Sequence, residues 1–478
     1  MKIKIKGNKT FYLTIYFVLF VVLVGIAMGM PAEKNTVIFV GLIALLNVIW
    51  TEWLCYCYMG TLVTYANLFL ACLHLFHFGQ IVINFSDISH VYRSLDILEV
   101  LGYEEYLQSA CYAILFSVFC VLGVMLQSVS ILTGGKINRR NDKASNRKLF
   151  LIGIILTMLS LPIHIRISLL QVRLTTEGNY LNSFEANISG IQYTFSMFCI
   201  IGIIMLMLAF SEKRIKLYLI YFLSIIYFAW TMMSGGRGRP VITILLFTFI
   251  LLKLVKVSPW KIVLLAAAGY IALMALSAIA RIRDYGGITV ENLYHAMKMG
   301  ESPIIAALEE FGGTQQTVGL AVRLAKSCPY KLGSTYFLSL FSILPNAGGI
   351  FSNLNQESIF TLYLPGAYLG GSIIGEAYYN FGWLGCGIGM AAGLLIGRLS
   401  SKIECIFRDR KYDKLAYYVM PCFGILWWVR DAFNSILRNT VWAWVIIYFL
   451  YLLYHYIFVG NHVYRGMKTG ECANKAQK

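Results

Sequence analysis

Long apolar runs recur along almost the whole chain, and they constrain its fold more than any other feature. About 20 apolar residues are enough for a helix to cross the hydrocarbon core of a bilayer. The runs cover 11–30, 36–55, 61–84, 107–132, 149–170, 190–210, 217–233, 240–256, 262–280, 374–397, 415–430 and 440–459. The sequence therefore predicts an all-α, polytopic integral membrane protein with about twelve membrane-spanning helices.

The composition excludes a water-soluble protein. Hydrophobic residues make up 58% of the chain and charged residues 13%. Soluble domains are roughly 45–50% apolar and about 25% charged, so this chain lacks the polar surface that a globule in water needs. We expect residues 1–478 to form a single integral membrane domain.

Basic residues concentrate on one side of the predicted spans. They precede the first span, follow the fourth, sixth, eighth and tenth spans, and end the chain, within 2–9, 136–148, 213–216, 253–261, 398–414 and 465–478. Lysine and arginine are enriched in cytoplasmic loops, so both termini are predicted to be cytoplasmic. The net charge of +17 then reflects orientation in the membrane and gives no support to a nucleic-acid partner.

The cysteines and histidines give no sign of a metal site. Most of the 11 cysteines lie in apolar runs, as small buried side chains do, and no Cys/His pair has metal-ligand spacing. The chain also lacks a GxxxxGK[ST] phosphate loop, so nothing indicates a nucleotide-driven pump. The sequence predicts no metal and no cofactor.

One long interruption, 281–372, separates the ninth and tenth spans on the outer face. Its apolar residues and its Ser-Pro and Gly-Gly pairs predict helices at about 303–311 and 314–326. Long structured loops are usually functional, so we expect this extracytoplasmic loop to cap the site.

The segment 234–240, Ser-Gly-Gly-Arg-Gly-Arg-Pro, joins two spans on the outer side. It must turn, because one continuous helix through it would exceed the hydrocarbon thickness. Glycines allow close approach to a ligand, and Arg237 and Arg239 offer bidentate donors that suit phosphate. The alternative is a hairpin whose arginines reach lipid headgroups.

Two further arginine groups lie at predicted outer ends of spans. Arg281 and Arg283 end the ninth span, where they either help to bind phosphate or mark the helix end with Asp284. Arg430 begins a cluster with Asp431, for which a structural ion pair is the alternative to ligand binding.

The segment 375–385 opens the tenth span with an acid, an amide and aromatic residues. A carboxylate such as Glu376 in partly apolar surroundings suits a base that deprotonates a hydroxyl, while Tyr378 and Tyr379 can stack on sugars. The alternative is an acid favoured by the helix dipole beside an aromatic belt.

Taken in order, four features resemble the repeat-unit polymerases of bacterial O-antigen and capsule assembly, the Wzy type. They are the 234–240 turn, Glu310-Phe311-Gly312 with Thr314-Gln315, Ile343-Leu344-Pro345-Asn346, and the glycine-rich acidic segment 375–385. The resemblance covers about 190–400. It implies a GT-C-like glycosyltransferase in the bacterial cytoplasmic membrane that uses polyprenyl-diphosphate-linked oligosaccharides as donor and acceptor.

The resemblance further implies a reaction on the outer face. The growing glycan leaves its polyprenyl diphosphate for the non-reducing end of a new repeat unit, and the diphosphate leaving group drives the transfer. Membrane lipid surrounds the site, and a flippase and a chain-length regulator are the protein partners it suggests.

We predict that three residues act in catalysis: Arg237 and Arg239 hold the diphosphate, and Glu376 acts as base or orients the acceptor. The residues predicted to bind substrate are Arg281, Arg283, Glu310, Tyr378, Tyr379, Asn380 and Arg430. The arginines and the carboxylate are expected to converge around one hollow on the outer side.

Two other functions remain open from the sequence. A ligase would move a finished glycan from the same carrier to another acceptor, and it would share the topology and the arginines. A flippase or secondary transporter also fits twelve spans, but its long loop would be cytoplasmic and its halves would repeat.

Overall fold

The computed structural model describes residues 9–85, 96–128, 143–177, 188–255, 260, 267, 269–271, 274, 278, 290–298, 302–344 and 370–460. Over these ranges all regular secondary structure is helical. The prediction of an all-α membrane protein is confirmed.

Ten described helices precede the long loop, and short turns join several of them. They are α1 (Lys9–Gly29), α2 (Lys34–Met59), α3 (Tyr65–Phe85), α4 (Ile97–Leu101), α5 (Tyr103–Ser128), α6 (Lys143–Glu177), α7 (Gly190–Ser196), α8 (Phe198–Ala209), α9 (Arg214–Thr231) and α10 (Gly238–Leu254).

Eight further helices are described in the loop and the C-terminal region. They are α11 (Val290–Lys298), α12 (Pro303–Gly312), α13 (Gln315–Ala325), α14 (Ser334–Phe341), α15 (Ile373–Phe381), α16 (Cys386–Asp409), α17 (Ala416–Trp428) and α18 (Asn434–Tyr454). The helices predicted at 303–311 and 314–326 correspond to α12 and α13.

Among the described residues, nine helical stretches are long and apolar enough to cross a membrane. They correspond to predicted spans one to seven, ten and twelve. The predicted spans 240–256 and 415–430 appear as the shorter helices α10 and α17. The remaining one, 262–280, falls largely outside the described residues.

Segments predicted to lie on the same side of the membrane are in contact. At the side predicted to be cytoplasmic, Lys253 pairs with Glu404 at 2.5 Å, and Tyr58 donates a hydrogen bond to the Lys9 carbonyl. At the opposite side, Arg323 pairs with Glu105 at 2.6 Å. These contacts are those expected if consecutive spans alternate in direction.

Helices α5 and α16 pack backbone to backbone along a glycine stripe. Gly389, Gly393 and Gly397 recur every four residues on the face of α16 that meets α5. A Cβ at Gly393 would overlap the carbonyl oxygen of Cys120 in α5. Small residues at this spacing let membrane helices approach closely. Such close packing is important within lipid, because the hydrophobic effect does not drive helices together there.

Gly393→Ala is expected to destabilise the protein by about 1–3 kcal/mol, because overpacking forces a backbone shift. Gly387→Ala in the same helix is the matched control, since a Cβ there meets nothing within 4 Å. Thermal unfolding in detergent measures both, and equal midpoints for the two variants would contradict the packing argument.

The described part of the long loop packs onto the bundle and is not a detached cap. A Cβ at Gly79 of α3 would overlap the Leu308 carbonyl oxygen in α12, and the backbones also meet at Gly312. Gln80 donates from its side-chain amide to the Glu309 carbonyl at 3.0 Å. Helix α12 is therefore held against the C-terminal half of α3.

Candidate functional site

The turn predicted at 234–240 is present. Helix α9 gives way to a short 3₁₀ turn, Met232–Ser234, and α10 begins at Gly238. Gly235 has φ +81°, in the left-handed region that favours glycine. The turn thus presents two guanidinium groups and the N-terminus of α10, whose partial positive charge favours anions.

The Arg239 guanidinium lies between two aromatic rings. Its Cζ atom is 4.7 Å from the centroid of Tyr193 in α7 and 4.8 Å from that of Trp427 in α17. Its Nη2 lies 3.8 Å from Oδ2 of Asp431, and its side chain is 40% exposed. The cation is thus fixed in direction by the rings while its donors remain open to a ligand.

Asp431 is itself held by donors from the end of α17, from the turn that follows it and from the start of α18. Oδ1 accepts a hydrogen bond from the Ala432 N–H at 2.7 Å. Oδ2 accepts from the Trp427 indole N–H and from the Ser435 hydroxyl, the latter at 3.0 Å. These hydrogen bonds stabilise most of the negative charge of the carboxylate. Asp431 can therefore orient Arg239 while the guanidinium donors stay available to a ligand.

Arg237 faces the opposite direction, into the protein. Its guanidinium forms an ion pair with Glu310 of α12, and the two side chains are 3% and 11% exposed. The sequence named both residues as site residues, and the structure shows that they contact each other. The pair joins the 234–240 turn to the long loop.

Arg430 lies beside the start of α10. A Cβ at Gly238 would lie 3.2 Å from Nη1 of Arg430 and 3.0 Å from the Trp427 ring, so only glycine fits there comfortably. The Arg430 guanidinium is 5.9 Å from the centroid of Phe76. Arg430 and Arg239 thus flank the N-terminus of α10.

Glu376 lies near the start of α15 and is 5% exposed. Oε1 accepts a hydrogen bond from the Thr335 hydroxyl at 2.9 Å. Oε2 accepts from the Phe433 N–H at 2.9 Å and from the Trp428 indole at 3.3 Å. The carboxylate therefore ties α14 to the 429–433 turn.

Asn380, one turn after Glu376, completes this network. Its amide donates to the Thr335 hydroxyl at 2.7 Å, and its oxygen accepts from the Gly333 N–H at 3.0 Å. Burial and the nearby Glu376 charge raise the pKa of the Tyr336 phenol in α14, so it remains protonated. The network is polar and water-poor.

The two tyrosines predicted to stack on sugars pack on protein neighbours. The Tyr378 ring lies 4.7 Å from that of Tyr112, and its hydroxyl accepts from the Gln108 amide at 3.3 Å. The Tyr379 ring lies 5.7 Å from the Lys331 ammonium. Both side chains are buried, so in this arrangement each contacts protein neighbours.

The site thus consists of two linked clusters. Arg239, Asp431 and Arg430 form a partly exposed cationic cluster, and Glu376 anchors a buried network at the other end of the 429–433 turn. Arg281, Arg283 and the Pro345-Asn346 motif lie outside the described residues. No group of three His, Cys, Asp or Glu side chains within the described ranges is placed to hold a metal.

Two aromatic residues of the site, Tyr193 and Trp427, were not singled out from the sequence. They come from helices far apart in the chain, and each looks like an ordinary residue of an apolar run. What distinguishes them from other aromatic residues is their contact with Arg239. The sequence does not show that contact.

Comparison with known proteins identifies the family. A family model described as O-antigen polysaccharide polymerase Wzy matches residues 11–461, nearly the whole chain. No curated protein and no solved structure matches this chain. The family polymerises O-antigen repeat units, carried on lipid, in the membrane. With nearly its full length matched, the chain belongs to the Wzy family of O-antigen polysaccharide polymerases.

Proposed function

We propose that this polymerase transfers the growing glycan from polyprenyl diphosphate to the non-reducing end of a new repeat unit, on the outer face of the membrane. Both termini are then cytoplasmic, as the one-sided distribution of basic residues favours. The Arg239 cluster lies at the side that carries few basic residues. A flippase would supply the repeat units, and a chain-length regulator would act on the product.

The exposed, ring-held guanidinium of Arg239 is the observation that carries this proposal. As the glycosidic bond to phosphate breaks, negative charge grows on the departing diphosphate. A fixed guanidinium and a helix N-terminus stabilise that charge without having to reorganise. Arg430, on the other flank of α10, can meet the second phosphate.

Within this mechanism Glu376 is proposed to hold the 429–433 turn, and with it Asp431, in position. Its two oxygens accept three hydrogen bonds, and its exposure is 5%. A base needs an oxygen within hydrogen-bond reach of the acceptor hydroxyl. The observed bonds instead support a positioning role: Glu376 fixes the turn that carries Asp431, and Asp431 orients Arg239.

Glu376→Gln separates positioning from proton transfer. The Gln oxygen can still accept from Phe433 and Trp428, so we expect a loss of about 1 kcal/mol and retained polymer. Glu376→Ala leaves three donors without their acceptor and is expected to remove polymer together with stability. Glycan gels at matched protein levels make the comparison, and complete loss of polymer in Glu376→Gln would favour the base instead.

The overall function is tested with the purified protein in liposomes that contain only lipid-linked repeat units. We expect a ladder of lipid-linked polymer to form without a nucleotide or another glycan acceptor. A ladder that requires lipid A core would indicate a ligase. Movement of intact repeat units across the bilayer without new bonds would indicate a flippase.

A further inference from the structure

Helix α14, within the long outer loop, is amphipathic in the reverse sense to a helix in water. Its buried residues are polar: Thr335 and Ser339, followed by Ser342 just beyond the helix. The opposite face is apolar and exposed: Phe337 is 61% exposed, and Leu340 and Leu344, the latter just beyond the helix, are each 49% exposed. A helix with this arrangement is adapted to hydrocarbon on its outer side.

Contacts with α18 place this face at the depth of the outer leaflet. The Trp442 indole donates to the Ile343 carbonyl at 2.9 Å. Trp442 is eight residues into a stretch of 25 residues, Asn434–Phe458, that can cross the membrane. At about 1.5 Å per residue, its Cα lies about 12 Å from the outer end of that stretch.

The same stretch is about 37 Å long, so about 4 Å remain at each end when it stands upright and centred on a hydrocarbon core of about 30 Å. Trp442 therefore lies below the outer boundary of the hydrocarbon. Deeper along α18, the apolar side chains of Val445 and Phe449 are also exposed, as is usual for a helix that faces lipid. At this depth the exposed α14 face would meet hydrocarbon and not water.

Helix α14 and the residues just after it also contact the segment that follows the cationic cluster in the chain. The Tyr336 ring lies 5.5 Å from that of Phe433, and the Ser342 hydroxyl oxygen lies 3.5 Å from the Asn434 carbonyl oxygen. The two partners lie two and three residues after Asp431, the carboxylate beside Arg239. A diphosphate at Arg239 has its lipid tail in the leaflet next to this turn.

We propose that the exposed apolar face of α14, formed by Phe337, Leu340 and Leu344, binds the polyprenyl tail of the lipid-linked substrate. This rests on the proposed function, because it assigns the tail of the substrate whose diphosphate Arg239 binds. An aromatic ring and branched side chains pack well against a methyl-branched isoprenoid. The polar face of α14 meanwhile remains bonded to Glu376.

The test compares a long-tailed and a ten-carbon prenyl diphosphate repeat unit in the liposome assay. Phe337→Ala/Leu340→Ala removes only exposed side chains. We expect it to raise KM for the long-tailed substrate about tenfold, the effect of roughly 1.4 kcal/mol, and to leave the short-tailed substrate unchanged. Tyr448→Ala/Phe449→Ala, on the exposed face of α18, is the matched control and is expected to change neither KM.

Equal changes with both substrates, or no change with either, would overturn the proposal. A second measurement applies if the double variant fails to fold. A photo-crosslinking residue in place of Leu340 should capture an alkyne-tagged polyprenyl diphosphate in preference to a tagged phospholipid, and one in place of Phe449 should not. Equal capture at both positions would mean bulk lipid covers the face. Failure of the proposed function would appear separately, as absence of polymer from the wild-type protein.

Discussion

Arg239→Ala is expected to lower polymer formation by about 10²–10³-fold, the usual effect of removing one fixed donor from a developing anion. The guanidinium is held between Tyr193 and Trp427 beside Asp431 and is 40% exposed. Its loss removes charge stabilisation and leaves the fold intact. Single repeat units on lipid should accumulate, as glycan gels and extracted lipid intermediates would show.

Two variants control this experiment. Arg173→Ala removes an exposed guanidinium whose ion pair, with Glu177, lies at the surface, and it is expected to leave polymer unchanged. Arg239→Lys keeps the charge but loses the planar group that stacks on the rings, so we expect intermediate activity. Long polymer from Arg239→Ala at wild-type protein levels would refute the phosphate role.

Arg237→Ala and Glu310→Ala are each expected to destabilise the protein by about 3–5 kcal/mol, because each removes one member of a buried ion pair. The side chains are 3% and 11% exposed, so solvent screens the remaining charge poorly. Polymer should be lost and single lipid-linked units retained. Thermal unfolding in detergent and protein levels in the membrane measure the stability change.

The double variant Arg237→Met/Glu310→Leu tests whether an unpaired buried charge causes the loss of stability. Replacing both charges with apolar side chains leaves no uncompensated charge, so it should unfold at a higher temperature than either single variant. Losses that simply add would show that the pair does not contribute as a unit. Long polymer in Arg237→Ala would contradict a role for this residue in the site.

Local sequence predicted the elements of the site well. The 234–240 turn follows from glycine and from the length limit on a membrane helix, and α12 and α13 follow from their flanking Ser-Pro and Gly-Gly pairs. Arg237 and Glu310 were both named from sequence. Their direct contact was not, because 73 residues separate them along the chain.

The orientation of side chains was not predictable in the same way. The sequence places Arg237 and Arg239 in one turn, yet one guanidinium is buried against α12 and the other is exposed between two rings. Tyr378 and Tyr379 likewise face the interior, because α15 packs against helices from elsewhere in the chain. Local spacing does not indicate which neighbours arrive on each side.

The sequence by itself determined that lipid surrounds the chain and that its structure is helical, and it predicted which loops share a side of the membrane. A helix that crosses a bilayer needs about 20 apolar residues, and its backbone must form its hydrogen bonds within the helix. The apolar runs of the sequence show where both conditions are met. The tertiary structure alone decided which arginine stays open to a ligand, which carboxylate is buried, and that α14 turns its apolar face outward. Those outcomes depend on contacts between segments that are distant in the chain. Such contacts form, and stabilise one side-chain arrangement, only when the helices pack together.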